Sequence, residues 1–509
     1  MNTFLNGMKA ATNYTYTENG AITHRSTLNP LMDLFAMGAA YRSRSDEDCI
    51  TLFKKAFSAD PVYALKCLFY IGDCRGGQGE RRFFRVCAKW LASYDTEAAR
   101  RNLIHIPEYR RWDDMFIFLD TPLEKEALDI VKHQLALDVQ CKTPSLLAKW
   151  MPSENTSSQK TRIMATKVRK YLGMTPKQYR RILSELRRRI NVLERLMSEK
   201  RWDEIEFDKI PSKAGLKYKN AFARHDIERM KSEKEGIKSY EDFAKDKNTK
   251  VNAEVLNPVD IADKVFKSVG YYNSFNSLSE VDRLMIDKYW ANLKDYYHGR
   301  EENGIAICDV SGSMWGQPLN AAVSMSAYIA ERGKGPFRNH FITFSGSPEL
   351  VEFEGTDITD KFVRASKADW GGNTNVEAAL DLMLNVAVKN NMAQSDIPKT
   401  LYIFSDMEFD GYMTCGPAVR GRWSSGEYVL DPETLFEKIA KRWEAHGYEM
   451  PRVIFWNLNA RQDNIPALNG RFGYVSGFNM NMVETILSGK DGLDLVLEKL
   501  DSERYKVIC

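Results

Sequence analysis

After about Gly299 the chain carries four short apolar runs, Gly304–Cys308, Phe341–Phe344, Thr400–Phe404 and Arg452–Trp456, each bounded by turn or polar residues. Between them lie stretches with apolar residues at three- and four-residue steps, at Leu319–Glu331, Val376–Val388 and Pro432–Ala445. Short buried strands alternating with helices make βαβ units, and such units close only into a mainly parallel sheet covered by helices on both faces. This alternation predicts an open α/β domain over residues 300–509.

The first 299 residues read differently. Asp46–Phe57, Pro61–Tyr70, Arg81–Tyr94, Pro122–Gln140 and Pro176–Lys200 are helical patterns, and Pro61, Pro122 and Pro176 stand near first turns, where proline is tolerated. The charged, weakly apolar stretch 231–251 is expected to be an exposed helix or loop. A chain of 509 residues is too long for one ordinary domain, and 43% hydrophobic with 11% aromatic content is enough to build packed cores. The expected fold is therefore multidomain α + α/β, with an all-α helical-repeat region over 1–299 and a sheet domain over 300–509. The N-terminus has no charged-then-apolar leader pattern, and no apolar run approaches the roughly 20 residues that span a bilayer. The eight cysteines are scattered with no CxxC pair, which argues against a zinc site or a secreted disulfide framework. A soluble cytoplasmic protein is the expectation.

Binding groups in an open α/β sheet collect at the carboxyl ends of the strands. Three segments deliver polar side chains there. GIAICDVSGSM runs from a strand into Asp309, Ser311 and Ser313; DWGGNTNVEAAL is a glycine turn leading through Thr374 into a helix; TLYIFSDMEFD ends a strand on Asp406. Carboxylates and hydroxyls are hard oxygen donors, suited to one Mg²⁺ or Mn²⁺. Two carboxylates and three hydroxyls would leave the ion partly uncompensated, with a coordination position open to an acidic side chain or a phosphate oxygen. Asn373 is an alternative to Thr374, and Asp410 to Asp406. Taken together the three segments resemble the metal-ion-dependent adhesion site of the von Willebrand A family, whose usual glycine-glycine-threonine is here Gly371-Gly372-Asn373-Thr374.

Net charge is only +3, yet residues 301–509 hold 20 Lys+Arg against 29 Asp+Glu, leaving 52 against 40 in residues 1–300. Such asymmetry points to a polyanion-binding half. The stretch 160–200 has 13 Lys+Arg against three glutamates. On a helical wheel Ile182, Leu186, Ile190, Leu193 and Met197 share one side, and Lys177, Arg180, Arg181, Arg187, Arg188 and Arg195 share the other. A nearly unisigned stripe repels itself unless an anion is near, and arginine suits bidentate phosphate contact. A second basic cluster, Arg75, Arg81 and Arg82 around a glycine-rich stretch, lacks the Gly-Lys-Ser/Thr of a phosphate loop and is expected to be a tight interhelical turn with its arginines exposed.

Helices first and a von Willebrand A-type domain last resembles the architecture of the Ro (TROVE) ribonucleoproteins. Locally, DCRGGQGER, LAKWMPSENTSS, IPSKAGLKYKNAFARHD, DVSGSM and WGGNTN are more similar to a sister family of uncharacterised proteins with the same architecture. The resemblance implies HEAT-like helical repeats closing into a ring, noncoding RNA as ligand, a monomer, and a cation site at Asp309, Ser311, Ser313, Thr374 and Asp406. No HxH or HExxH spacing, second-metal carboxylate cluster or nucleophile elbow is present, so a non-catalytic protein is expected. The competing expectation is a metal-dependent protein-interaction scaffold whose cation accepts a partner's carboxylate.

Overall fold

The computed structural model describes residues 4, 7–9, 12–232, 236–269, 278–344, 347–366, 374–411, 433–468 and 470–509. They form two compact units that are not the consecutive halves expected above: residues 1–71 join 256–506 in one, and residues 72–255 with 507–509 make the other.

The first unit is built on a six-stranded sheet. In chain order its strands are β3 (Gly304–Asp309), β4 (His340–Phe344), β5 (Glu349–Glu352), β6 (Thr400–Ser405), β7 (Arg452–Asn457) and β8 (Phe472–Ser476), in spatial order β5-β4-β3-β6-β7-β8. Every pairing is parallel except β4 with β5. The four anticipated strands are present; β5 and β8 were missed, because ELVE is mostly exposed and FGYVS is interrupted by Gly473. From β3 the chain works outward to one edge and then returns to β6 on the other side of β3. The crevice at the carboxyl end between β3 and β6 is thus the switch point where such sheets bind ligands.

The helix Gln317–Arg332 is buried over nearly its whole length, lying against β3 and β4 and under the helix Pro258–Val269. That packing draws residues 256–299 into the sheet unit. Asn320 donates to Asp263 at 2.6 Å, Arg283 meets Asp357 at 2.6 Å, and the Tyr296 N–H reaches the Tyr328 hydroxyl at 3.1 Å. The N-terminal segment belongs here as well. Its helix Pro30–Met37 packs on β8, where the Ser476 hydroxyl donates to the Phe35 carbonyl at 2.8 Å, and Tyr70 stacks on Phe35 with ring centroids 5.0 Å apart. Ahead of it stands a hairpin, β1 (Tyr14–Tyr16) and β2 (Ile22–His24), that the helical reading passed over. Asn19-Gly20 at its turn is the strongest short-range hairpin signal there is, with Gly20 at φ +89°.

The second unit is helical throughout its described residues. Its core is lined by Phe83, Phe84 and Leu91 from the helix Arg81–Tyr94, Leu128 and Val131 from Glu124–Gln140, and the rings of Phe207, Phe222, Tyr240 and Phe243. The described part of 231–251 is a short helix and loop, mostly exposed or half-buried as expected, which the buried rings of Tyr240 and Phe243 anchor; ahead of it buried Arg229 donates to the carbonyls of Trp202 and Ile205 at 2.6 and 2.8 Å. The long basic helix is corrected, since it is two helices, Pro176–Arg189 and Leu193–Ser198. Thr175 and Gln178 form a capping box ahead of Pro176. Asn191 at φ +49° ends the first helix in the left-handed conformation asparagine tolerates, while the Val192 N–H returns to the Arg187 carbonyl at 3.2 Å. The break turns the second piece, so the buried residues are Tyr179, Leu183, Leu186, Leu193 and Leu196; Ile182, Ile190 and Met197 are only half-buried.

Candidate metal centre and basic face

Asp309 ends β3 and Asp406 follows β6, so the pairing of those strands sets two carboxylates side by side with no exposed surface to speak of. The turn after β3 is held by Asp309 itself, whose Oδ1 accepts the Ser311 N–H at 2.9 Å. Its Oδ2 accepts the Ser405 hydroxyl at 2.6 Å. The Ser311 and Ser313 hydroxyls stand 3.1 Å apart, and Ser313 faces the Asp406 carboxylate. Four of the five residues expected at a cation site therefore meet in one place.

Thr374 is buried beside them but engaged differently. Its hydroxyl donates to Asp410 at 2.6 Å and accepts from the Asn19 amide at 2.7 Å. Asp410 is thus tied to Thr374, and it is Asp406 that neighbours Asp309 and Ser313. Asn373, with Gly371 and Gly372, lies outside the described residues.

Burial, and then the charge of Asp406, push the Asp309 carboxyl up to about 7; burial also raises Asp406. Glu408, fully buried two residues on, is pushed up to about 7, first by burial. One oxygen of Asp406 and one of Glu408 are buried without a hydrogen-bond partner. Buried carboxylates lacking donors favour either a proton or a cation, and the surrounding hydroxyls are hard donors. The residues fit one Mg²⁺ or Mn²⁺, which Asp309, Ser311, Ser313 and Asp406 would hold, with Thr374 nearby. Among the described residues no three His, Cys, Asp or Glu side chains are grouped to hold a metal; this set has two carboxylates and completes itself with hydroxyls.

Sequence reasoning missed Glu18, Asn19, Glu408 and Arg461 around this centre. The hairpin turn enters it: the Glu18 N–H reaches Glu408 at 2.8 Å, the Asn19 amide reaches the Glu408 carbonyl at 2.6 Å, and Arg461 lies 2.8 Å from Glu18 and 3.4 Å from Asp406. Glu408 could have been noticed between Asp406 and Asp410. Nothing local in the sequence points from Glu18 or Asn19 to a strand some 380 residues away.

Positive charge follows the compact units. Residues 72–255 hold 39 Lys+Arg against 28 Asp+Glu, whereas the sheet unit holds 33 against 41. Not all of the anticipated stripe is available to a ligand. Arg187 turns inward and donates to the carbonyls of Ala148 and Met151 and to the Ser153 hydroxyl at 2.8–3.0 Å. Arg188 pairs with Glu185 at 2.5 Å and Arg195 with Glu199 at 2.8 Å; Arg180 lies 3.8 Å from Glu154. Lys170, Lys177 and Arg181 are exposed, and no ion pair holds them among the described residues.

The glycine-rich turn is indeed a tight turn, and Asp73 occupies it. The buried Asp73 carboxylate accepts the N–H groups of Arg75 and Gly76 at 2.9 and 3.1 Å, taking donors a phosphate would need. Arg75 is exposed, but Arg81 is half-buried and pairs with Asp113 at 2.8 Å in a network with Arg85, Arg110, Arg111 and Asp114; Arg82 is half-buried too.

Two family models meet near residue 300. Residues 17–110 and 147–296 match the domain of unknown function DUF2828, and residues 303–506 match the domain of unknown function DUF7788. The DUF2828 match thus runs from the hairpin through the helical unit and back into helices of the sheet unit, and the DUF7788 match contains the sheet. The uncharacterised protein L728 of Acanthamoeba polyphaga mimivirus is 29% identical over 94% of this chain and 85% of its own length. Among solved structures, the Ro (RSR) protein of Deinococcus radiodurans is similar at a TM-score of 0.41 and 12% identity, over 94% of this chain and all of that one. A likeness at that level assigns no residue and no ligand. Among the described residues no helix is long and apolar enough to cross a membrane.

Proposed function

We propose that this is a non-catalytic RNA-binding protein: the helical unit takes structured noncoding RNA, and the sheet unit carries one divalent cation at Asp309, Ser311, Ser313 and Asp406, beside Thr374. The observation that supports the first part most is the excess of 39 basic over 28 acidic residues confined to residues 72–255, with Lys170, Lys177 and Arg181 unpaired at its surface. Phosphate is the commonest partner of such an excess. The domain order that resembles the Ro ribonucleoproteins implies the same ligand class.

The test is binding of a labelled hairpin RNA across a salt series. Affinity should fall steeply as salt rises, be indifferent to EDTA, and drop at least tenfold in the K170E/K177E/R181E variant. The RNA should stay intact in Mg²⁺. Salt-insensitive binding, or a variant equal to the parent, would refute the reading.

The buried, under-partnered Asp406 favours a second reading, in which the cation's open position accepts an acidic side chain of a protein partner. Such binding would be lost with EDTA and with Asp309→Ala, while RNA binding would survive both.

A further inference from the structure

A guanidinium bridges the candidate cation site and the N-terminal hairpin. Arg461 Nη1 lies 2.8 Å from a Glu18 carboxylate oxygen, and its Nε lies 3.4 Å from the Asp406 oxygen that no hydrogen bond satisfies. The second distance is too long for a normal hydrogen bond, and that Nε is itself buried without a partner. Arg461 therefore leans toward Asp406 without closing on it, while it closes fully on Glu18. Its side chain is 31% exposed, so it has room to move.

Among the described residues Arg461 is the cation set against Asp406 and Glu18, with the carboxyls of Asp309 and Glu408 beside them. A divalent ion between Asp309 and Asp406 would meet this positive charge a few ångströms away, and two cations cannot share one buried carboxylate oxygen without strong repulsion. Glu18 offers the guanidinium a second place to go. Its position is set mainly by main-chain and neighbouring groups that dock the turn. The Thr17 hydroxyl donates to the Phe409 carbonyl at 2.6 Å, the Glu18 N–H to Glu408 at 2.8 Å, and the Gly411 N–H to the Asn19 carbonyl at 3.1 Å. Strand β2 is held separately, with His24 and Ile465 exchanging main-chain bonds at 3.0 and 2.9 Å.

We infer that Arg461 and Glu18 are positioning residues that set the occupancy of the cation site: the Arg461 charge beside Asp406 opposes a divalent cation there, and Glu18 holds the guanidinium back from closing on that carboxylate. The inference rests on the cation-site reading above and adds a competitor and a release point to it. Repulsion from a bound cation then presses Arg461 further onto Glu18, so the ion and residues 14–24 stabilise one another.

The experiment is Mn²⁺ binding to the full chain, read by the loss of free-ion paramagnetic resonance signal, with circular dichroism confirming that each variant is folded. Arg461→Gln removes the competitor and should tighten Mn²⁺ about tenfold. Glu18→Gln removes the release point and should weaken it several-fold. In the double variant Glu18 has nothing left to hold, so its affinity should equal that of Arg461→Gln alone. Hydrogen exchange in residues 14–24 should slow on adding Mn²⁺ to the parent and not to Glu18→Gln. A weaker or unchanged Arg461→Gln overturns the inference, as does a double variant returned to the parental affinity, which would mean independent charge effects. If Arg461→Gln does not fold, Glu18→Gln decides alone, and unchanged affinity overturns it. No Mn²⁺ binding by the parent, or binding that survives Asp309→Ala, instead defeats the cation site itself.

Discussion

Asp287 shows how one carboxyl sets a pH dependence. It sits half-buried on the helix Glu280–Ala291 with its Oδ1 accepting the Ile358 N–H at 2.7 Å. Burial, and more weakly the charge of Asp357, hold its carboxyl up at about 6. A group that binds its proton more tightly in the folded state contributes stability fully present below the unfolded value near 4, and that stability is lost as pH rises through about 6. Asp287→Asn keeps the acceptor and removes the ionisation. It is expected to raise stability at pH 8 by about 1–2 kcal/mol and to leave it nearly unchanged at pH 4. Denaturant midpoints at the two pH values check this, and an equal effect at both would contradict it. The same physics governs what could be read at the candidate site. Asp309, Ser311 and Ser313 are legible because they end or follow the apolar run of β3, and Asp406 because it follows that of β6. Arg461 and Glu18 are not, because an ion pair between distant residues leaves no local pattern.

At the scale of elements, helical periodicity found the segments but misjudged one buried face. A wheel treats 176–200 as a continuous rod, whereas Asn191 interrupts it, and the face that packs is Tyr179, Leu183 and Leu186. Leu183→Ala should therefore cost about 2–4 kcal/mol. Ile182→Ala, on the side the wheel placed inward, should cost under about 1 kcal/mol. Urea unfolding of the two variants distinguishes the assignments, and comparable losses would mean the helix packs as the wheel suggested. The hairpin is the opposite case. Its Asn-Gly turn was readable, but β1 and β2 are three residues each and gain their worth from Ile465 and Asp410 across the chain, which no window contains.

For the whole molecule, the sheet unit is discontinuous, taking in residues 1–71 and 256–299. A fragment of residues 300–509 would leave bare the surfaces that the helices Pro30–Met37 and Pro258–Val269 cover. It is expected to be poorly soluble and to lack the near-ultraviolet circular dichroism of packed aromatic rings. A fragment that melts cooperatively on its own would contradict this. The α + α/β character, the order of the two kinds of structure, the parallel strands and the carboxylates at their ends all follow from the sequence alone. Hydrophobic periodicity and turn residues act over a few positions and are written locally. Which stretches share a core was decided only in three dimensions, as were the pairing of Asp410 with Thr374, the inward turn of Arg187, the Asp73 carboxylate filling the glycine-rich turn, and the hairpin laid against Glu408 and Arg461. Burial, charge pairing and backbone hydrogen bonds act on whatever folding brings within a few ångströms, however far apart the residues stand in the chain.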